Sequence, residues 1–200
     1  MDPLDAVGLR VLLDRYCLLT DRQNFTHVAE LFCSDGSFTS SYAPPAVGRD
    51  AIARTLRSSL TRFAEVAGLG PEGLLTQHTA LGLVYEIEGD TATGTVQGQA
   101  RLTADGAAEA LLNVLRYEDE YRRLDGCWYF RSRRVVRLWT ERAEAPGDAR
   151  PAREPGRPRS RDLGPRSPIV PVDVTISSST STDTATSTTT DRDGNRSTDP

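Results

Sequence analysis

The sequence predicts an α+β domain, helices first and then a run of antiparallel strands, and three observations predict it. Apolar residues in the first third recur at the 3.6-residue period of amphipathic helices. Beyond the Gly/Pro-containing stretch 68–73 the pattern changes to long β-prone runs. Those runs are punctuated by short turn signals: Glu88-Gly89-Asp90, Ala104-Asp105-Gly106 and Asp125-Gly126. Strands joined so tightly pair with their sequence neighbours, which gives a four-strand antiparallel meander behind three helices.

Each element follows in order. Leu4, Val7, Val11, Leu12, Tyr16 and Leu19 share a helical face and predict a first helix over about 4–20. A short second helix covers about 26–32, and 37–41 reads as a short strand. Gly48-Arg49-Asp50 opens a third helix to about residue 66, with Ile52, Leu56, Leu60 and Phe63 on one face. Strands are expected at about 74–88, 91–103, 110–123 and 127–139. Composition then shifts: the chain is Pro/Arg/Gly-rich and afterwards Ser/Thr/Asp-rich. The domain is therefore expected over 1–145, and 146–200 as a disordered tail that cannot bury enough apolar surface to offset ordering.

Composition removes several function classes. The net charge of −4 gives no electrostatic footprint for nucleic acid. No apolar run approaches the ~20 residues of a membrane span, and Met1-Asp2-Pro3-Leu4-Asp5 lacks a signal-peptide pattern, so a cytoplasmic protein is expected. Cys17, Cys33 and Cys127 have no CxxC spacing, which suits a reducing compartment and argues against a thiolate zinc site; no metal is expected. All 24 basic side chains are Arg, so Schiff-base and P-loop lysine chemistry is excluded, and no dinucleotide fingerprint implies a cofactor.

Strand parity nominates the chemistry-bearing side chains. In the third long strand Leu111, Asn113, Leu115, Tyr117, Asp119 and Tyr121 share a face, mixing apolar bulk with amide, phenol and carboxylate as ligand pockets do. The bland alternative is a core face whose polar ends meet solvent. In the last strand Arg134 falls in the stripe of Trp128, Phe130, Val136 and Leu138, as a cavity group or an arginine reaching past the strand end, opposite Arg131, Arg133 and Arg137. His78 has the small parity partners Thr76, Ala80 and Gly82, leaving room above an imidazole base, while Leu81, Leu83 and Tyr85 point the other way. A satisfied structural histidine fits the same pattern. Asp21 ends the first helix, where the dipole disfavours an acid, a hint of a role other than stability.

Taken together, Leu13-Asp14-Arg15-Tyr16 with Asp21, Ala29-Glu30-Leu31-Phe32 with Asp35 and Phe38, Gly48-Arg49-Asp50-Ala51-Ile52, Thr76-Gln77-His78, and Tyr117-Glu118-Asp119-Glu120-Tyr121 running into Asp125-Gly126-Cys127-Trp128 resemble the SnoaL-like group of the nuclear transport factor 2-like superfamily. The resemblance spans about 4–140 and implies a cone-shaped fold, three helices packed on a curved antiparallel sheet. It is nearest in function to scytalone dehydratases and hexachlorocyclohexane dehydrochlorinases, which implies an Asp–His dyad at Asp21 and His78 that removes a carbon-bound proton. The dehydratases' second histidine falls near Val96 or Gln97, their first-strand phenol near Ser40 with Tyr42 two residues on, and their tyrosine before the aspartate is Thr20. The dehydrochlorinases' lysine has no counterpart in this chain.

The expectation is a cofactor-free dehydratase, cyclase or isomerase acting on a bulky hydrophobic metabolite such as a polyketide or other natural-product intermediate. Asp21 and His78 would be catalytic, and Tyr16, Phe25, Tyr42, Asn113, Tyr117 and Arg134 substrate-binding. Two other classes stay open: a non-catalytic small-molecule-binding or dimerisation domain, and an accessory protein like the β-subunit of an oxygenase. A homodimer is expected, using Leu81, Leu83, Tyr85, Val135 and Trp139 on the exposed side of the sheet.

Overall fold

The computed structural model describes residues 3–144 except 42, 67, 70–72, 105 and 106. The 146–200 tail and Tyr42 therefore lie outside the described residues. Helices α1 (Pro3–Asp21) and α2 (Phe25–Glu30) precede strands β1 (Phe32–Ser40) and β2 (Ala43–Val47). Helix α3 (Arg49–Val66) leads into β3 (Leu74–Glu88), β4 (Thr91–Ala104), β5 (Glu109–Leu124) and β6 (Cys127–Glu144). The strands form one six-stranded sheet in the order β2-β1-β6-β5-β4-β3.

The meander of β3 to β6 is antiparallel as expected, but β1 joins β6 in parallel, so the curved sheet is mixed. The sequence reading also missed β2, whose Ala-Pro-Pro-Ala-Val is a poor strand by propensity. Proline is tolerated there because β2 is an edge strand with one side free of ladder bonds. Gly36 is required in β1: a Cβ would sit 3.0 Å from the Cys33 carbonyl and 3.1 Å from that of Phe130.

Two β-bulges decide which side chains face the helices. Opposite β5, Tyr121 pairs with Phe130 but Glu120 pairs with Ser132, so Arg131 is an extra residue and the parity of β6 flips. Arg133, not Arg134, follows Trp128 and Phe130 into the interior. In β3, Ala80 pairs with Gly98 and Gly82 with Gln97, so Leu81 is extra. Leu83 and Tyr85 then join the same interior as His78 and pack against the core, contrary to the parity reading. Val135 also packs inward, leaving Leu81 and Trp139 exposed from the expected dimer set, beside Val84 and Leu138.

The core between helices and sheet centres on Leu9, Leu13, Val28, Phe32, Ile52 and Phe130, all nearly or fully buried. The start of α1 is clipped to the sheet by Asp5, which accepts from Arg123 Nη1 at 2.8 Å and Trp128 Nε1 at 3.0 Å. Its end is fixed by a Schellman motif: Gln23 takes φ +54°, with Gln23 N–H donating to the Thr20 carbonyl and Asn24 N–H to that of Leu19.

Candidate active site

That turn places Asp21 against the edge strand β3. The Asp21 carboxylate accepts the His78 backbone N–H at 2.9 and 3.0 Å on its two oxygens, and the Thr76 hydroxyl at 3.2 Å. The same carboxylate lies 2.6 Å from His78 Nδ1. These donors offset the poor position of an acid at a helix C-terminus. An ionised carboxylate only accepts, so Nδ1 carries a proton, and in the neutral ring the lone pair resides on Nε2. Main chain and ring of one residue are thus held by one partner, which leaves the imidazole little rotational freedom.

His78 borders a cavity of about 110 Å³. Its walls come from α1 (Tyr16, Thr20), Phe25 of α2, and α3 (Leu56, Ser59, Leu60, Phe63). Its floor is built by Phe38 and Ser40 of β1, Ala100 and Leu102 of β4, Asn113, Leu115 and Tyr117 of β5, and Val135 of β6. The small β4 residues make room for β5 rings: a Cβ on Gly98 would meet Tyr117 Cε2 at 2.6 Å. Asn113 Oδ1 accepts from Thr140 Oγ1 at 2.7 Å, which orients the amide and leaves its NH₂ to donate. Burial pushes the Tyr16 phenol up to about 12 despite the opposing Arg133 charge, and Tyr117 well above its ordinary value, so both stay protonated hydrogen-bond donors.

Behind the two tyrosines lies a buried ion pair. Arg133 donates to Asp119 from Nε at 2.9 Å and Nη2 at 2.7 Å, and Tyr121 donates to the same carboxylate at 2.8 Å. Both charged side chains are essentially inaccessible. The guanidinium also stacks 4.1, 4.5 and 4.0 Å from the ring centres of Tyr16, Tyr117 and Phe130. Burial opposes the Arg133 charge, but Asp119 outweighs it and raises the arginine further above its ordinary value.

Of the residues the sequence nominated, Asp21 and His78 are in contact, and Tyr16, Phe25, Asn113 and Tyr117 line the cavity with His78. Arg134 does not: it lies outside the cavity, 65% exposed, paired with Glu118 at 2.9 Å on the outer face, because the bulge at Arg131 turned it outward. Arg134 with Arg116 holds the Glu118 carboxyl below its usual range, chiefly through the Arg116 hydrogen bond. Sequence reasoning missed Arg133 and Ser59. The signal for Arg133 was Asp119: a carboxylate within an apolar strand face needs a buried cation, and the arginines of the neighbouring β6 are candidates.

An α+β cone whose helices cap a curved sheet, with a carboxylate-held histidine at a mostly apolar cavity, defines the class. Residues 4–134 match the SnoaL-like domain family, and the chain belongs to it. No functionally curated protein matches the chain by sequence. Among solved structures it resembles a scytalone dehydratase candidate from Novosphingobium aromaticivorans (TM-score 0.58, 20% identity, 72% of this chain and 91% of that one). It also resembles a type 2 hexachlorocyclohexane dehydrochlorinase, LinA (0.57, 17%, 74% and 95%). A third is ActVI-ORFA from Streptomyces coelicolor (0.55, 19%, 66% and 96%). At these identities the likeness establishes the fold.

Proposed function

We propose that the protein is a lyase or isomerase that removes a carbon-bound proton from an apolar metabolite with its own side chains, as a dehydratase, cyclase or isomerase. The observation that carries this reading is His78 at the cavity wall with Nδ1 held 2.6 Å from Asp21. The names of its structural neighbours, a scytalone dehydratase candidate and a dehydrochlorinase, accord with it.

His78 Nε2 takes a proton from carbon next to a carbonyl, and the C–H electron pair moves into the enolate. Asp21 stabilises the imidazolium without itself taking the proton. Tyr16 or Tyr117 donates to the developing oxyanion. The proton on Nε2 then leaves with a hydroxyl as water, returns to another carbon, or, in a cyclisation, passes to the alkoxide formed when the enolate carbon attacks a second carbonyl of the same molecule. Such positioned acid–base catalysis contributes roughly 10²–10⁴-fold. Phe25 and Asn113 complete the substrate contacts in this reading.

Mass spectrometry of what accumulates when the gene is deleted, with complementation by wild type and by His78→Ala, tests it. A compound heavier than the product by one water identifies a dehydratase, and an isobaric one a cyclase or isomerase. Full complementation by His78→Ala overturns the assignment and leaves a binding domain. The exposed Leu81, Val84, Leu138 and Trp139 support a homodimer formed through the outer face of the sheet, which light scattering tests. The free thiols of Cys17, Cys33 and Cys127 accord with a reducing compartment.

A further inference from the structure

We infer that the cavity is fitted to one uncharged ring of its substrate, whose oxygen substituent is held by Ser59, making Ser59 the specificity-determining residue of the site. The inference rests on reading this cavity as the place where His78 takes its proton.

The first ground is size. An enclosed apolar cavity of about 150 Å³ holds one benzene; this one has about 110 Å³ and is open to solvent, so it seats one ring of a substrate whose remainder extends through the mouth. Charge is the second ground. Among the described residues the cavity lining contains no arginine and no carboxylate. The buried cation Arg133 lies behind the Tyr16 and Tyr117 rings with its guanidinium committed to Asp119. An anionic substrate would lose its hydration with no partner in return.

The third ground is Ser59 itself. Its neighbours on α3 satisfy their hydroxyls on the helix's own carbonyls: Ser58 on Thr55 at 3.1 Å and Thr61 on Arg57 at 3.2 Å. Ser59 Oγ is buried against the cavity and has no hydrogen-bond partner among the described residues. A buried hydroxyl left unmatched is unfavourable unless a bound molecule completes it. Helix α3 packs over α2, β1 and β2, whereas His78 is on β3 at the opposite edge of the sheet. A ring lying between them presents its carbonyl oxygen to Ser59 and a C–H of the adjacent carbon to Nε2.

The test is an NMR titration of the full chain with three probes: cyclohexanone, methylenecyclohexane as its oxygen-free counterpart, and cyclohexanecarboxylate. Cyclohexanone should bind in the cavity, shifting amides around Ala100 and Leu115, and bind at least tenfold more tightly than the carboxylate. Ser59→Ala should weaken cyclohexanone by roughly three- to tenfold and leave methylenecyclohexane unchanged. No shift with cyclohexanone, the carboxylate binding as tightly, or an equal effect of Ser59→Ala on both uncharged probes, overturns the inference. Exchange of the ketone's α-hydrogens for deuterium, lost in His78→Ala, reports separately on proton abstraction. Binding as predicted with no exchange would sink the proposed function and leave the fit of the cavity standing.

Discussion

Asp21 grips His78 twice, by main chain and by ring, and the two grips respond differently to substitution. Asp21→Asn keeps an acceptor for the backbone N–H but loses the charge that stabilises an imidazolium. We expect turnover to fall by roughly 10²–10⁴-fold with little change in melting temperature, read from steady-state rates beside a thermal scan. The Asp119–Arg133 pair obeys the opposite logic. Asp119→Asn leaves a guanidinium buried among three rings without its counter-ion and should cost about 3–5 kcal/mol in urea unfolding. The double variant Asp119→Leu/Arg133→Met removes both charges together and should recover most of that loss. Failure of the double variant to recover would mean that the pair stabilises through more than mutual neutralisation.

The strands carry the site through their irregularities. Gly98 is where β4 yields to the Tyr117 ring, so Gly98→Ala places a methyl within 2.6 Å of it and 3.1 Å from the Thr79 carbonyl. A loss of about 1–3 kcal/mol is expected, with the cavity floor displaced at Tyr117. Gly82 has open space around it, so Gly82→Ala serves as the near-neutral control in the same denaturation series. Deleting Arg131 would remove the extra residue and leave Ser132 opposite Glu120 and Arg133 opposite Asp119, so the inward face of β6 is kept. We therefore expect that deletion variant to keep a cooperative unfolding transition by circular dichroism, whereas an inserted residue after Ser132 would invert the faces that follow and abolish it.

For the whole molecule, buried phenols set the alkaline limit of stability. Tyr16 ionises near 10 in an unfolded chain but is pushed up to about 12 here, mainly by burial, and Tyr117 and Tyr121 are raised as well. Between these values the unfolded state sheds a proton that the folded state keeps. The stability is therefore intact below about pH 10 and lost as pH rises through about 12. Urea midpoints measured from pH 8 upward should fall across this window, and Tyr16→Phe should flatten part of the fall. A pH-independent midpoint would mean that the phenol meets solvent in the native state.

Local chemistry made much of this protein legible in the sequence. Period-3.6 and long β-prone runs set all three helices and the first three meander strands to within two residues, while β6 runs five residues past its expected end; those signals act over one turn or one hairpin. The alternation in β5 likewise placed Asn113 and Tyr117 on the interior face, since that strand's own partners contain the bulges and it does not. Long-range packing decided the rest. The parallel docking of β1 on β6 joins segments nearly a hundred residues apart, and the extra residues at Leu81 and Arg131 invert the faces that follow them. A bulge is fixed by the register of the neighbouring strand, which periodicity along one strand does not encode. The sequence by itself determined which residues are able to act as acid, base and donor; the tertiary structure decided that Asp21 meets His78, that Arg133 is buried and Arg134 exposed, and that Ser59 faces the cavity.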